Sequence, residues 1–361
     1  MAKGTSLDVA AASLDPTDTP REPAPASIAA DPAQAPAAPP AHDPPAHDPA
    51  QPSVATSARE RQGAVFMILG GALLGTVGVF VEEAGQHPFT AVWFRCVFGA
   101  AALFAWGLAR GRARELWLDR RGLGAALLAG ALMTANWALF FAALEHTSIA
   151  VATVVFHVQP LWLMAAGVLW LGEPFSRLRA GAALLALIGL TLATGLLDGA
   201  FASGANGIAG AAETNGTGAS PAYVGGLAMC LAASLAYTGV SLIAKTVRRV
   251  SSFALAWWQC VVGAVLLGWW PLAHGLPRWG TAWAWLTGLG VLHTGLAYVL
   301  LYVGMSRLPA GRIAILQFVY PACAVAVDWL VYGRALSAAQ LSGVVLIGVA
   351  QWGARAPRAT R

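Results

Sequence analysis

The chain holds 361 residues, 57% of them hydrophobic and 11% charged, with 22 Lys and Arg against 17 Asp and Glu, a formal net charge of +5 and a mean hydropathy of +0.62. Such a composition excludes an ordinary water-soluble domain. It also removes nucleic acid as the reason for the basic balance, because the basic residues sit in short tracts between apolar runs, a pattern that reports orientation in a bilayer.

Residues 1 to 60 are rich in Ala, Pro, Asp, Thr and Ser, with a near-repeat at Ala41-His42-Asp43-Pro44-Pro45 and Ala46-His47-Asp48-Pro49-Ala50. A stretch of this kind buries too little apolar surface to offset its chain entropy, so a disordered tail is expected, with His42 and His47 as solvated spacer residues. It lacks the basic start and apolar core of a secretory signal, which leaves the first membrane helix to act as its own insertion signal. From Gly63 onward the sequence divides into apolar runs near 63–81, 88–109, 122–143, 148–171, 178–197, 221–244, 252–272, 281–303, 310–332 and 336–354. Each is close to the roughly 20 residues that cross about 30 Å of hydrocarbon. Gly71-x3-Gly75 and Gly195-x3-Gly199 place small residues where helices can approach closely.

With the N-terminus placed in the cytoplasm, the successive inner segments carry 2, 5, 2, 3, 2 and 3 basic residues, whereas the outer segments carry only Arg278 and Arg334. That bias is expected of ten spans with both ends inside, in a plasma (inner) membrane. Cys96, Cys230, Cys260 and Cys323 all lie in apolar segments without CxxC spacing, so neither a disulfide framework nor a metal site is expected. The two lysines, Lys3 and Lys245, do not follow a glycine; the phosphate-binding GxxxxGK[ST] loop is absent, and no cofactor is expected.

An internal duplication organises the runs. Phe89-x3-Trp93-x2-Cys96-Val97-x-Gly99-Ala100-x2-Leu103 returns as Phe253-x3-Trp257-x2-Cys260-Val261-x-Gly263-Ala264-x2-Leu267, and Pro160-x11-Gly172 returns as Pro321-x11-Gly333. The expected fold is therefore all-α and integral to the membrane, with ten transmembrane helices as two inverted five-helix repeats. These are residues 63–197 and 221–354, joined by an extracytoplasmic linker at 198–220 and followed by a basic tail at 355–361. Because five is odd, the second copy enters from the opposite side, and two nearly isoenergetic conformations follow from exchanging the states of the halves.

Arg95-Cys96-Val97-Phe98-Gly99-Ala100, Asn136-Trp137-x3-Phe141-x-Ala143-Leu144, Ser148-Ile149-Ala150, Pro160 and Leu171-Gly172-Glu173-Pro174 together resemble the EamA family of the drug/metabolite transporter superfamily. The resemblance covers roughly residues 63 to 354 and implies a ten-helix transporter of small metabolites. The second copy departs from the pattern, with Gln259 in the place of Arg95 and Arg334 in the place of Glu173.

Polar groups at membrane depth are the candidates for function, since charge there is costly unless paired or hydrated. Pro160 and Pro321 interrupt the fourth and ninth runs near the midplane and should face one another. On the ninth run Gln317, Pro321, Ala324 and Asp328 recur on one helical face, and on the fourth Thr153, His157 and Pro160 do the same. These two faces are expected to wall a substrate cavity, completed from Asn136, Trp137, Tyr298 and Tyr320, with Gln259 and His293 as further intramembrane polar residues. Arg95 and Asp328, both in the outer leaflet, are gating or coupling candidates, as an ion pair or as separate side chains reaching the interface. Glu173 is expected to anchor the cytoplasmic face near Arg177 and Arg179.

The expected activity is secondary transport, as an exporter, of a small uncharged or zwitterionic metabolite. An amino acid or derivative is what the resemblance implies, with proton coupling through Asp328 or His157 as one option. The competing readings are a facilitative channel or an exchanger without ion coupling, and a membrane-embedded enzyme, for which neither HExxH nor GxSxG is present. Expected partners are the substrate and the lipid bilayer, with a homodimer compatible with this class.

Overall fold

A computed structural model describes residues 54–196, 220–333 and 335–353. Most of the expected tail, linker and C-terminal segment, together with Arg334, lies outside the described residues. Every regular element within them is helical: α1 (Val54–Gly75), α2 (Val77–Ala84), α3 (Pro88–Ala109), α4 (Arg120–Leu144), α5 (Ile149–Phe156), α6 (Gln159–Leu171), α7 (Arg177–Ala193), α8 (Pro221–Thr246), α9 (Ser252–Leu266), α10 (Trp269–His274), α11 (Thr281–Gly288), α12 (Ala297–Met305), α13 (Ala310–Leu316), α14 (Val319–Tyr332) and α15 (Ala338–Gly353). A 3-10 turn at Ala113–Leu116 and a π-helix at Leu289–Leu296 complete the set. Helix α1 starts at Val54, inside the stretch expected to be unstructured, and Glu60 on it meets Arg312 at 2.9 Å.

Among the described residues, eight segments are long and apolar enough to cross a membrane: Ser57–Ala84, Pro88–Ala109, Arg120–Leu144, Ile149–Leu171, Pro221–Thr246, Ser252–His274, Thr281–Met305 and Ala310–Tyr332. Helix α15 is shorter, and α7 packs along it where Gly189 and Gly343 bring the backbones together; a Cβ on Gly343 would lie 2.5 Å from the Ala193 nitrogen. Local chemistry sets the ends of these helices. Asp119, Ser148, Ser176, Ser220 and Ser251 each accept a backbone N–H of the first turn, and Ser337 with Gln340 forms a reciprocal capping box. Gly172 and Gly333, at matching places in the two repeats, close α6 and α14 in the left-handed conformation that a side chain would strain.

The basic segments collect at one end. Arg249 pairs with Asp119, Lys245 with Glu173 and Arg312 with Glu60, while Trp258 donates to the Leu116 carbonyl. At the other end Tyr332 meets Glu83, Trp270 donates to Thr90, and Gly226 lies against His146 and Thr147.

Helices α3 and α9, which correspond in the two repeats, run antiparallel and cross at corresponding residues. Along α3 and α9, Trp93 Nε1 donates to the Ala264 carbonyl while Gly107 rests on the Phe253 ring. At their crossing, a Cβ on Gly99 would come 3.1 Å from Cys260 Sγ, and one on Gly263 would come 2.5 Å from Cys96 Sγ. The spacing that relates Pro160 to Pro321 also relates Trp137 to Tyr298, stacked at 6.4 Å and 20°, and His157 to Phe318, with ring centroids 6.0 Å apart. These pairs lie where a twofold relation between the repeats places its axis.

Candidate functional site

Among the described residues, Ser252–His274 is interrupted at Leu267–Gly268 between α9 and α10, and three other long segments are interrupted beside a central cavity. The first breaks at Thr76, between α1 and α2; the fourth at His157–Val158, between α5 and α6; the ninth at Gln317–Phe318, between α13 and α14. Pro160 and Pro321 fall in the first turn of α6 and α14, where the missing N–H leaves no intrahelical bond unmade. The interruption thus precedes each proline by two to four residues. At Thr76 there is no proline. Its hydroxyl donates to the Leu73 carbonyl at 2.8 Å and lies 2.8 Å from His293 Nε2 on the π-helix, so side-chain bonds replace backbone ones.

A cavity of about 520 Å³ lies between these breaks. Of the residues expected to line it, Asn136, Trp137, Thr153, His157, Pro160, Tyr298, Gln317 and Tyr320 do so, and Arg95 joins them. It reaches toward the end of the bundle where Val81, the exposed Glu82 and Ile149 lie. Toward the basic end, off the cavity wall, Glu173 pairs with Lys245 at 2.8 Å and accepts the Ala310 N–H at 2.7 Å, and Lys245 also donates to the Leu308 carbonyl.

Several expectations need correction. Pro321 is buried but lies off the cavity wall, and Asp328 is partly exposed further along α14. The single helical face drawn through Gln317, Pro321 and Asp328 assumed one continuous helix, and the break at Gln317–Phe318 changes the phase. Arg95 and Asp328 form no ion pair. Arg95, 9% exposed, donates from Nε to Thr294 Oγ1 at 3.0 Å and lays its guanidinium 5.4 Å from the centre of the Trp137 ring, so it faces the cavity rather than the interface. Glu173 anchors the basic end, as expected, and does so through Lys245 and Ala310 of the other repeat, with Arg179 lining the same small pocket.

His157 bonds backward to the Thr153 carbonyl at 2.7 Å, within its own helix. Both ends of the Gln317 amide and the Oδ1 of Asn136 are buried without a hydrogen-bond partner among the described residues. The sequence reading missed Gln159, Phe156 and Tyr237 on the wall. Gln159 is held through Ser241 and Thr238 of α8, and those hydroxyls at helical spacing in an apolar run were the available signal. Gln259, the counterpart of Arg95, accepts a short hydrogen bond from the Tyr302 hydroxyl, so the two repeats differ in charge at this level.

An all-helical bundle whose long apolar segments can span a bilayer several times, around a central cavity that reaches toward one end, is the architecture of a polytopic membrane protein. The chain belongs to the EamA-like transporter family, part of the drug/metabolite transporter superfamily, whose model matches residues 61–195 and 224–353, one match per repeat. It is similar to an uncharacterized transporter, YxxF, of Bacillus subtilis (24% identity, covering 81% of this chain and 89% of that one) and to an uncharacterized transporter of Archaeoglobus fulgidus (28% identity, 80% and 95%). A crystal structure at 20% identity matches its fold with a TM-score of 0.68, covering 81% of this chain and 97% of the other.

Proposed function

We propose that this chain is a secondary transporter that exports a small metabolite by alternating access. In this reading α7 and α15 complete ten spans in two inverted five-helix repeats, with both termini cytoplasmic. The observation that carries it is the cavity between the broken, repeat-equivalent fourth and ninth segments, which reaches toward one end while Glu173, Lys245 and Ala310 bond the two repeats together at the other. Exchanging the conformations of the two repeats would close the first end and open the second. The antiparallel crossings of α3 with α9 support that relation, and the gathering of basic residues at the second end supports its assignment to the cytoplasm.

The experiment is a toxicity-relief screen, in which cells with and without the protein face a panel of metabolites and analogues, followed by counterflow in proteoliposomes. Saturable, counterflow-competent movement of a relieved compound is the expected result. Flux that rises linearly with concentration and shows no counterflow would make the protein a channel.

A further inference from the structure

Among the described residues the cavity is lined by one fixed cation and no buried anion, and that imbalance points to a substrate headgroup. A guanidinium stays charged in any protein setting, and holding it away from water is costly unless an acceptor meets it. Arg95 is nine-tenths buried, and its described contacts are one hydroxyl, Thr294, and the face of Trp137. The Thr294 bond uses Nε, and no described group takes a hydrogen bond from the two outer amino groups. Among the cavity-lining residues the one carboxylate is Glu82, exposed at the rim. The rest of the wall includes aromatic residues, Trp137, Tyr298, Phe140 and Tyr320, and the Gln317 amide, which has no hydrogen-bond partner among the described residues.

We propose that Arg95 is the receptor for a substrate carboxylate, and that the substrate is an organic monocarboxylate with an aromatic or branched apolar body and no free ammonium group. This rests on the transporter reading and gives it a substrate class. The planar fork of the guanidinium matches a carboxylate, and aromatic walls accept the apolar body. An ammonium group carried into the same space would lose its hydration without meeting a fixed negative charge, so a zwitterion is disfavoured. The net negative charge of such a substrate also supplies a driving force: a membrane potential negative inside favours its outward movement without a coupling ion.

The test uses four compounds with one aryl body and different headgroups: 3-phenylpropionate, phenylalanine, 3-phenylpropionamide and phenethylamine. Each is titrated calorimetrically into the full chain in lipid nanodiscs. The expected order has 3-phenylpropionate tightest, phenylalanine at least about 10-fold weaker and phenethylamine weakest. Arg95→Gln should weaken 3-phenylpropionate by about 10- to 100-fold, the range of a hydrogen bond to a charged group, and leave the amide nearly unchanged. Gln stands at the equivalent place in the second repeat, Gln259, which favours a folded variant; Arg95→Lys, which keeps the charge and loses the fork, should fall between wild type and Gln. Equal binding of phenylalanine and 3-phenylpropionate, or carboxylate binding that survives Arg95→Gln, overturns the proposal, as does a lack of measurable 3-phenylpropionate binding. Counterflow on the same panel separates the two readings: Arg95-dependent binding without movement of any solute would remove the transporter reading and leave the carboxylate site.

Discussion

Glu173 shows how one side chain can hold two repeats together. Helix α13 begins after Pro309, which has no side-chain acceptor to offer its first N–H groups, and the Glu173 carboxylate takes the Ala310 N–H instead while pairing with Lys245. Glu173→Gln keeps an acceptor for Ala310 and loses the ion pair, whereas Glu173→Ala loses both. Thermal unfolding in detergent should rank wild type above Glu173→Gln above Glu173→Ala. The full truncation should cost about 1–3 kcal/mol, toward the low end because the pair is partly exposed. A Glu173→Ala protein as stable as Glu173→Gln would show that the Ala310 contact contributes nothing. The sequence marked Glu173 as an anchor through the Leu-Gly-Glu-Pro motif. Its partner was not legible, because Lys245 is brought to it by the packing of α6 against α8, and nothing local distinguishes Lys245 from a basic residue that merely reports orientation.

At the scale of helices, apolar run length located the segments well, and it is blind to where they break. A break costs backbone hydrogen bonds without altering mean hydropathy, so only the prolines signalled two of the three beside the cavity, and the Thr76 break and the π-helix left no mark. In the π-helix the Thr294 hydroxyl donates to the Leu289 carbonyl, five residues back, and accepts from Arg95. Thr294→Val removes both bonds and leaves the guanidinium without its orienting acceptor. Binding of 3-phenylpropionate should weaken about 5- to 10-fold, in keeping with about 1 kcal/mol for one such bond. Helix contact follows the same logic of close approach. A side chain on Gly189 would meet the Gly343 carbonyl at 2.7 Å, while Gly181 on the same helix has open space. Gly181→Ala is therefore expected to stabilise by about 0.5–1 kcal/mol, and Gly189→Leu to cost about 1–3 kcal/mol by forcing α7 from α15. Paired melting curves of the two variants read both signs in one experiment.

For the whole molecule, identities in the second and seventh runs exposed the duplication, yet the residues that meet between the repeats are mostly unlike: Trp137 against Tyr298, His157 against Phe318. Identity searching passes over such pairs, and divergence between the repeats also makes the cavity asymmetric, since Arg95 lines it while its neutral counterpart Gln259 does not. The arrangement has a consequence for access that can be measured. Arg114 follows α3 and Ala222 opens α8, and if the repeats are inverted these positions face opposite sides of the bilayer, with Glu145 on the side of Ala222. Single cysteines there, in a background where Cys323 is replaced because it is the one native cysteine not fully buried, should react with a membrane-impermeant maleimide accordingly. Positions 145 and 222 should label from outside intact cells, and position 114 only after permeabilisation. Labelling of 114 and 222 from the same side would remove the inverted relation and alternating access with it. Ile149→Cys, at the mouth of the cavity, adds the dynamic half of the test. It should label from the same side as 222, and Glu173→Gln should slow that labelling, because loosening the basic end shifts the population toward the state in which the mouth is shut.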